Sequence, residues 1–153
     1  MNTYPPVVIR RPQLSELTEL VSLDREIFNG QGYNLLTFRQ FYDLAGDLLL
    51  VALADSRLLG YALVLPSAVQ CEGWFMALGV SASHRHRALG RSLAETVLYE
   101  AKCAGITSVR LTVAEPNEPA RNLYGHLGFA FERDERDYFG PGQHRLVMRN
   151  PTI

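Results

Sequence analysis

The segment Val80-Ser-Ala-Ser-His-Arg-His-Arg-Ala-Leu-Gly-Arg-Ser-Leu93 holds the most readable chemistry in this chain. An apolar strand end passes through a short basic loop and straight into an amphipathic helix. The first turn of a helix leaves backbone N–H groups unpaired at the positive end of its dipole. Small residues at Ala88, Gly90 and Ser92 permit close approach to that backbone, and Arg85, Arg87 and Arg91 add positive charge. Such a start suits a phosphorylated ligand. Arg85, Arg87 and His84 also read as an ordinary solvated basic loop.

Periodicity supplies the elements that must hold this loop. Val7 to Arg10 reads as a strand stopped by Pro12. Leu14, Leu17, Leu20, Val21, Leu23, Ile27 and Phe28 recur at helical spacing over 13–28. Asn29-Gly-Gln-Gly32 breaks that helix, and a second spans 35–45. Strands at 48–54 and 58–65 flank the turn Asp55-Ser-Arg57, and 72–80 is a further strand. The helix 88–104 buries Leu89, Leu93, Val97, Leu98 and Ala101 and ends at Gly105. Val109, Leu111 and Val113 share one face of a strand over 108–114. A short helix beginning near Pro119 ends at Leu127-Gly128, and strands at 129–138 and 145–149 follow. The order β-α-α-β-β-β-α-β-α-β-β is a mixed α/β chain with no internal repeat.

The bulk numbers restrict the function classes. The 153 residues fit one domain that buries roughly 70% of its unfolded surface. A net charge of −1 argues against bulk nucleic-acid binding, although ten of the 15 basic residues fall between Arg85 and Arg149. Cys71 and Cys103 form no metal or redox spacing, and Cys103 reads as a small core residue, so no metal is expected. The start carries no leader pattern, and no apolar run approaches the ~18 residues of a membrane span. The expectation is a soluble cytoplasmic protein without a nucleic-acid or membrane partner.

Two blocks together resemble the GNAT superfamily of acyl-CoA-dependent N-acyltransferases. One is Arg85-His-Arg-Ala88-Leu-Gly90, against the family's Arg/Gln-x-x-Gly-x-Gly/Ala between strand and helix. The other is Leu111-Thr-Val-Ala-Glu-Pro-Asn117 followed by Ala120-Arg-Asn-Leu-Tyr124-Gly-His-Leu-Gly128-Phe129. The resemblance covers nearly the whole chain. It implies a single GNAT domain over 1–153: a mostly antiparallel twisted sheet of about seven strands with a splayed parallel pair, flanked by four helices. Ala88 departs from the pattern, standing where the family has its first motif glycine. An alanine resists positive φ and slightly crowds the approach of a phosphate.

The resemblance also implies roles. The cofactor is acetyl-CoA. Its pyrophosphate would lie on the amides of His86, Arg87, Ala88, Leu89, Gly90 and Arg91, with Arg85 and Ser92 beside them. Leu78, Gly79 and Val80 would offer their backbone to the pantetheine arm, whose amides would satisfy free strand groups. Asn117 would contact the cofactor, and by its position it is also a plain helix cap. Tyr124 would protonate the departing thiolate, since a phenol with a pKa near ~10 keeps its proton at neutral pH. It also reads as a half-buried packing tyrosine.

The amine must lose a proton to attack a thioester. Relatives that acetylate ribosomal-protein alanine carry a glutamate where this chain has Thr112, and others carry one near Trp74; neither residue can act as a base. Glu72, on the same strand face as Trp74, and Glu115, at the cleft mouth, are the remaining candidates, and each also reads as a solvated surface group. A dedicated base is dispensable for an α-amine with pKa near ~8, already partly neutral at pH 7.

The resemblance makes the first two helices and the loop between them the acceptor wall. Phe28, Tyr33, Trp74 and Tyr138 are the expected acceptor contacts; core packing is the competing reading for each aromatic, most strongly for Phe28, Phe38 and Phe41. Three functions follow: acetylation of a primary amine on a small molecule or amino acid, acetylation of a peptide or protein N-terminus, or a catalytically weak acyl-CoA-binding sensor. A homodimer through the last strands is left open.

Overall fold

Apolar alternation and continuous apolar runs form seven strands among the described residues. They are β1 (Val8–Arg10), β2 (Leu49–Ala54), β3 (Arg57–Pro66), β4 (Glu72–Val80), β5 (Ser108–Val113), β6 (Ala130–Glu135) and β7 (Arg145–Asn150). The helices are α1 (Leu17–Ile27), α2 (Leu35–Ala45), α3 (Leu89–Cys103) and α4 (Glu118–His126). The computed structural model describes residues 5–85 and 88–153. The strands make one open sheet in the order β1-β2-β3-β4-β5-β7-β6. β4 and β5 are parallel, from Glu72 opposite Ser108 to Phe75 opposite Leu111, and β4 then continues to Val80. The architecture is the mixed α/β sheet that the sequence predicts. No helix among the described residues is long and apolar enough to cross a membrane.

Contacts gather into two compact units. The first comprises residues up to Val64 with Ala77–Glu100. Here β2 pairs antiparallel with β1 and β3. Asp55 and Ser56 take left-handed backbone (φ 48 and 61), the conformation that matches a two-residue turn to the twist of a hairpin. Leu20, Phe38, Leu49, Val51, Tyr61 and Leu63 are sealed from solvent. Burying a side chain of this size contributes about 1.5–3 kcal/mol.

The second unit comprises Leu65–Met76 with Ala101–Ile153. β7 pairs antiparallel with β5 and β6. Val109, Leu111 and Val113 all point to the buried side, as their alternation requires.

Three expectations change. The strand over 129–138 stops at Glu135, where a turn begins that holds Asp137 at φ 54. The helix over 13–28 begins as a 3-10 turn, Leu14–Glu16, because the Glu16 carboxylate turns back to accept the Gln13 N–H at 2.8 Å. Cys103 is exposed, not a core residue. The buried stripe of α3 runs through Leu93, Val97 and Ala101, and two residues further the helix has turned toward the opposite side.

Candidate active site

The phosphate-type loop lies in the first unit. β4 reaches it through half-buried Leu78 and buried Gly79 and Val80. Two glycines let the chain come close here. A Cβ on Gly60 of β3 would sit 2.7 Å from the Gly79 carbonyl, and one on Gly79 would sit 2.9 Å from Ile27 of α1 and 3.6 Å from the Phe28 ring. The Ser81 N–H donates to the Leu59 carbonyl at 2.7 Å, and Arg85 Nε donates to the Val80 carbonyl at 3.2 Å. His84 Nδ1 lies 2.8 Å from the Ser81 hydroxyl and 2.9 Å from that of Ser83, which ties the ring to its own turn.

His86 and Arg87, both expected cofactor contacts, lie outside the described residues. Ala88 has φ 55, the left-handed backbone that alanine was expected to resist. An L-residue pays roughly 1–2 kcal/mol for that conformation. The Ala88 carbonyl accepts the Ser92 N–H at 3.1 Å, so the N–H groups of Leu89, Gly90 and Arg91 precede the first intrahelical bond. Ala88 has no side-chain oxygen to cap them. Among the described residues a Cβ on Gly90 would meet only Val80, at 3.7 Å. Arg91 is exposed and paired with Glu95 at 2.7 Å, which directs its guanidinium along the helix.

The second block lies in the second unit. Asn117 Oδ1 accepts the Ala120 N–H at 3.3 Å and caps α4, with Pro119 in the first turn. Tyr124, two turns along, is buried. Its ring meets Phe75 and Phe129 edge-on, each at 5.8 Å between centroids. Among the described residues its hydroxyl has no hydrogen-bond partner, and none of their fully sealed side-chain polar atoms is left unpaired, so the hydroxyl reaches solvent. Burial pushes the phenol up to about 12. Gly128 ends the segment at φ 93, beneath an Asn150 amide that donates to the Leu127 carbonyl at 3.0 Å.

The two candidate bases have different surroundings. Glu72 is held by two guanidiniums, with Oε2 2.7 Å from Arg110 and Oε1 3.3 Å from Arg149. Arg110 also clasps Glu132 at 2.9 Å, and Glu132 pairs with Arg133 at 2.7 Å. Glu72 is therefore a member of an ion-pair network, and accepting an amine proton would require breaking it. Glu115 forms no ion pair among the described residues. It lines a cleft of about 240 Å³ with Asp134, Glu135, Arg136, His144 and Arg145.

The expected acceptor residues divide between the units. Phe28 is exposed at the end of α1, and half-buried Tyr33 packs edge-on against Phe38 and Phe41 at 5.7 and 5.0 Å. Trp74 is half-buried on β4, and Tyr138 is exposed on the β6–β7 turn against Phe139. Two residues of this region were not foreseen. Gly60 spaces β3 from the end of β4. Asp24 is fully buried on the apolar stripe of α1; a carboxylate between Leu20 and Ile27 at helical spacing was the available signal.

The family model described as the acetyltransferase (GNAT) family matches residues 15–129. Solved structures agree in fold. The ribosomal-protein-S18-alanine N-acetyltransferase from Escherichia coli is 19% identical with a TM-score of 0.80, covering 96% of this chain and 94% of its own. Arabidopsis thaliana Naa50, in complex with the bisubstrate analogue CoA-Ac-MVNAL, is 21% identical with a TM-score of 0.79, covering 94% and 97%. The PaiA N-acetyltransferase from Thermoplasma acidophilum, in complex with coenzyme A, is 22% identical with a TM-score of 0.71, covering 95% and 98%. No curated protein matches the chain. The family-model match spans most of the chain, which belongs to the GNAT family of acetyltransferases.

Proposed function

We propose that this chain transfers an acetyl group from acetyl-CoA to a primary amine of a small molecule or amino acid, by direct attack within a ternary complex. Tyr124 carries the reading. A phenol clamped between two rings, protonated at every physiological pH and with its hydroxyl open, is suited to donate to a departing sulfur. The donor set also fits the cofactor: amides at Leu89, Gly90 and Arg91, uncapped among the described residues, suit a pyrophosphate, and Leu78–Val80 are strand backbone suited to an amide-bearing arm. Acetyl-CoA supplies the activated thioester. We take 1–153 as one domain, since β3, β4 and α3 each run through both compact units. Two unpaired cysteines favour a reducing, cytoplasmic setting.

In this reading the Val80 N–H polarises the thioester carbonyl. Holding amine and thioester together supplies most of the acceleration. Tyr124, at about 12, stands well above an ordinary thiol near ~8.5. Proton transfer to the less basic thiolate would be uphill, so Tyr124 would keep its proton and stabilise the departing sulfur by donating a hydrogen bond, in place of the expected protonation; the sulfur would leave as a thiolate. Glu115, free of ion pairs among the described residues, replaces Glu72 in this reading as the acceptor of the amine proton, directly or through water. A peptide α-amine is the second reading. It is favoured by the match to Naa50, solved with a peptide-bearing analogue, and opposed by Thr112 at the position of the missing glutamate.

Thiol release over a panel of amines, amino acids and peptides separates these readings. Tyr124→Phe should lower kcat about 100-fold while leaving acetyl-CoA affinity unchanged. Tight acetyl-CoA binding without thiol release for any acceptor would identify a sensor instead.

A further inference from the structure

Asp24 is a carboxylate where α1 should be apolar. It is 0% exposed, and no cation pairs with it among the described residues. Burying a carboxylate without a cation costs several kcal/mol. What it has are two donors from different parts of the first unit. The Tyr61 hydroxyl of β3 donates to one oxygen. The Tyr33 N–H, at the end of the α1–α2 loop, donates to the other at 2.6 Å.

The loop is shaped around that oxygen. A Cβ on Gly32 would lie 1.7 Å from Oδ2 of Asp24 and 2.6 Å from its Cγ. Gly32 has no positive φ, so glycine is required here for space and not for conformation. Beyond the tether, the Tyr33 ring packs on Phe38, and Phe38 packs on Tyr61 at 5.6 Å. Tyr61, Asp24, Tyr33 and Phe38 thus form a closed circuit of contacts. The remaining backbone bonds of the loop, Gly30 to Arg25 at 2.8 Å, Gln31 to Phe28 at 3.0 Å and Phe38 to Asn34 at 3.0 Å, hold its two ends and leave its middle to the tether.

We propose that Asp24 is a positioning residue, whose two hydrogen bonds fix the 29–34 loop in one register and thereby set affinity for the acceptor amine without contributing to the chemical step. The proposal rests on the acetyltransferase reading, in which this loop belongs to the acceptor wall. Gly32→Ala tests it, because one methyl group on an exposed loop must push Tyr33 off the carboxylate while the core stays intact. The Tyr33 amide should be protected from hydrogen exchange in the wild type and exchange freely in Gly32→Ala. The acceptor KM should rise about tenfold, with kcat within about twofold and acetyl-CoA affinity unchanged. Asp24→Ala should behave alike if it folds. Asp24→Asn should retain near-wild-type KM, since a turned amide can accept from Tyr33 and donate to Tyr61. Unchanged Tyr33 exchange in Gly32→Ala overturns the proposal, as does lost protection with an unmoved KM. If the wild-type chain acetylates no amine, the function reading fails. Exchange then decides the tether alone: lost protection in Gly32→Ala supports it, and retained protection overturns it.

Discussion

Two helices begin in the motif blocks, and they treat their first amides in opposite ways. α4 closes its start: Asn117 accepts the Ala120 N–H, and Pro119 removes a donor. Among the described residues nothing caps the start of α3. Ala88 offers no cap, and its backbone is held left-handed at φ 55. A cap is worth about 1 kcal/mol to a helix, and left-handed alanine costs about as much again. The difference shows where the chain forgoes local stability. In the proposed function it does so where a phosphate's oxygens would take the cap's place, and not at α4, whose proposed working group, Tyr124, lies two turns downstream.

Substitutions that reverse this contrast test it. Placing a carboxylate at the open start should have the largest effect. Ala88→Asp sets a negative charge where phosphates would sit, and acetyl-CoA affinity by calorimetry should fall at least about tenfold. Opening the closed start comes next. Asn117→Ala should cost about 1 kcal/mol, a drop in Tm of about 2–4 °C by thermal scanning. Any further loss of acetyl-CoA affinity in that variant would show that the cap also serves the ligand.

A smaller effect belongs to the network around Glu72. The Arg110 guanidinium beside Glu132 holds its carboxyl below the usual carboxylate range. A depressed acid stabilises the fold above its unfolded pKa, and that contribution is lost as pH falls through the folded value. The Tm difference between wild type and Glu132→Gln should therefore shrink as pH is lowered below about 4.5. The smallest change is Ala88→Gly. It removes left-handed strain and should raise Tm by about 1–3 °C with equal or better acetyl-CoA affinity. A lowered Tm would mean that the alanine methyl is making contacts of its own.

The boundaries of most elements were legible because apolar periodicity dictates them. α2 and β4 fall where the pattern places them, and the α3 and β5 stripes are buried as written. The caps were legible for the same local reason: Asn117 lies three residues from the amide it accepts. What the sequence hid depends on distant partners. Glu72 reads as a free carboxylate until Arg110 and Arg149, 38 and 77 residues away, close on it. Tyr124 could be named from its motif, but its elevated pKa required the walls of Phe75 and Phe129. The conformation of Ala88 was misjudged because intrinsic preference is a weak force beside the start of the helix that follows it.

β6 is one of the two edge strands of the sheet, and it guards an otherwise adhesive border. The register shift between Phe131 and Arg133 interrupts its ladder, and Arg133 braces Glu132 and Glu135 at 2.7 Å each along the rim. An incoming strand would have to flatten the bulge and part those charges before making its first hydrogen bonds. Phe131, 60% exposed, is the apolar weak point that this arrangement shields. Strand addition at this border, and with it amyloid-like stacking of crowded chains, is opposed by the shape and charge of one six-residue strand.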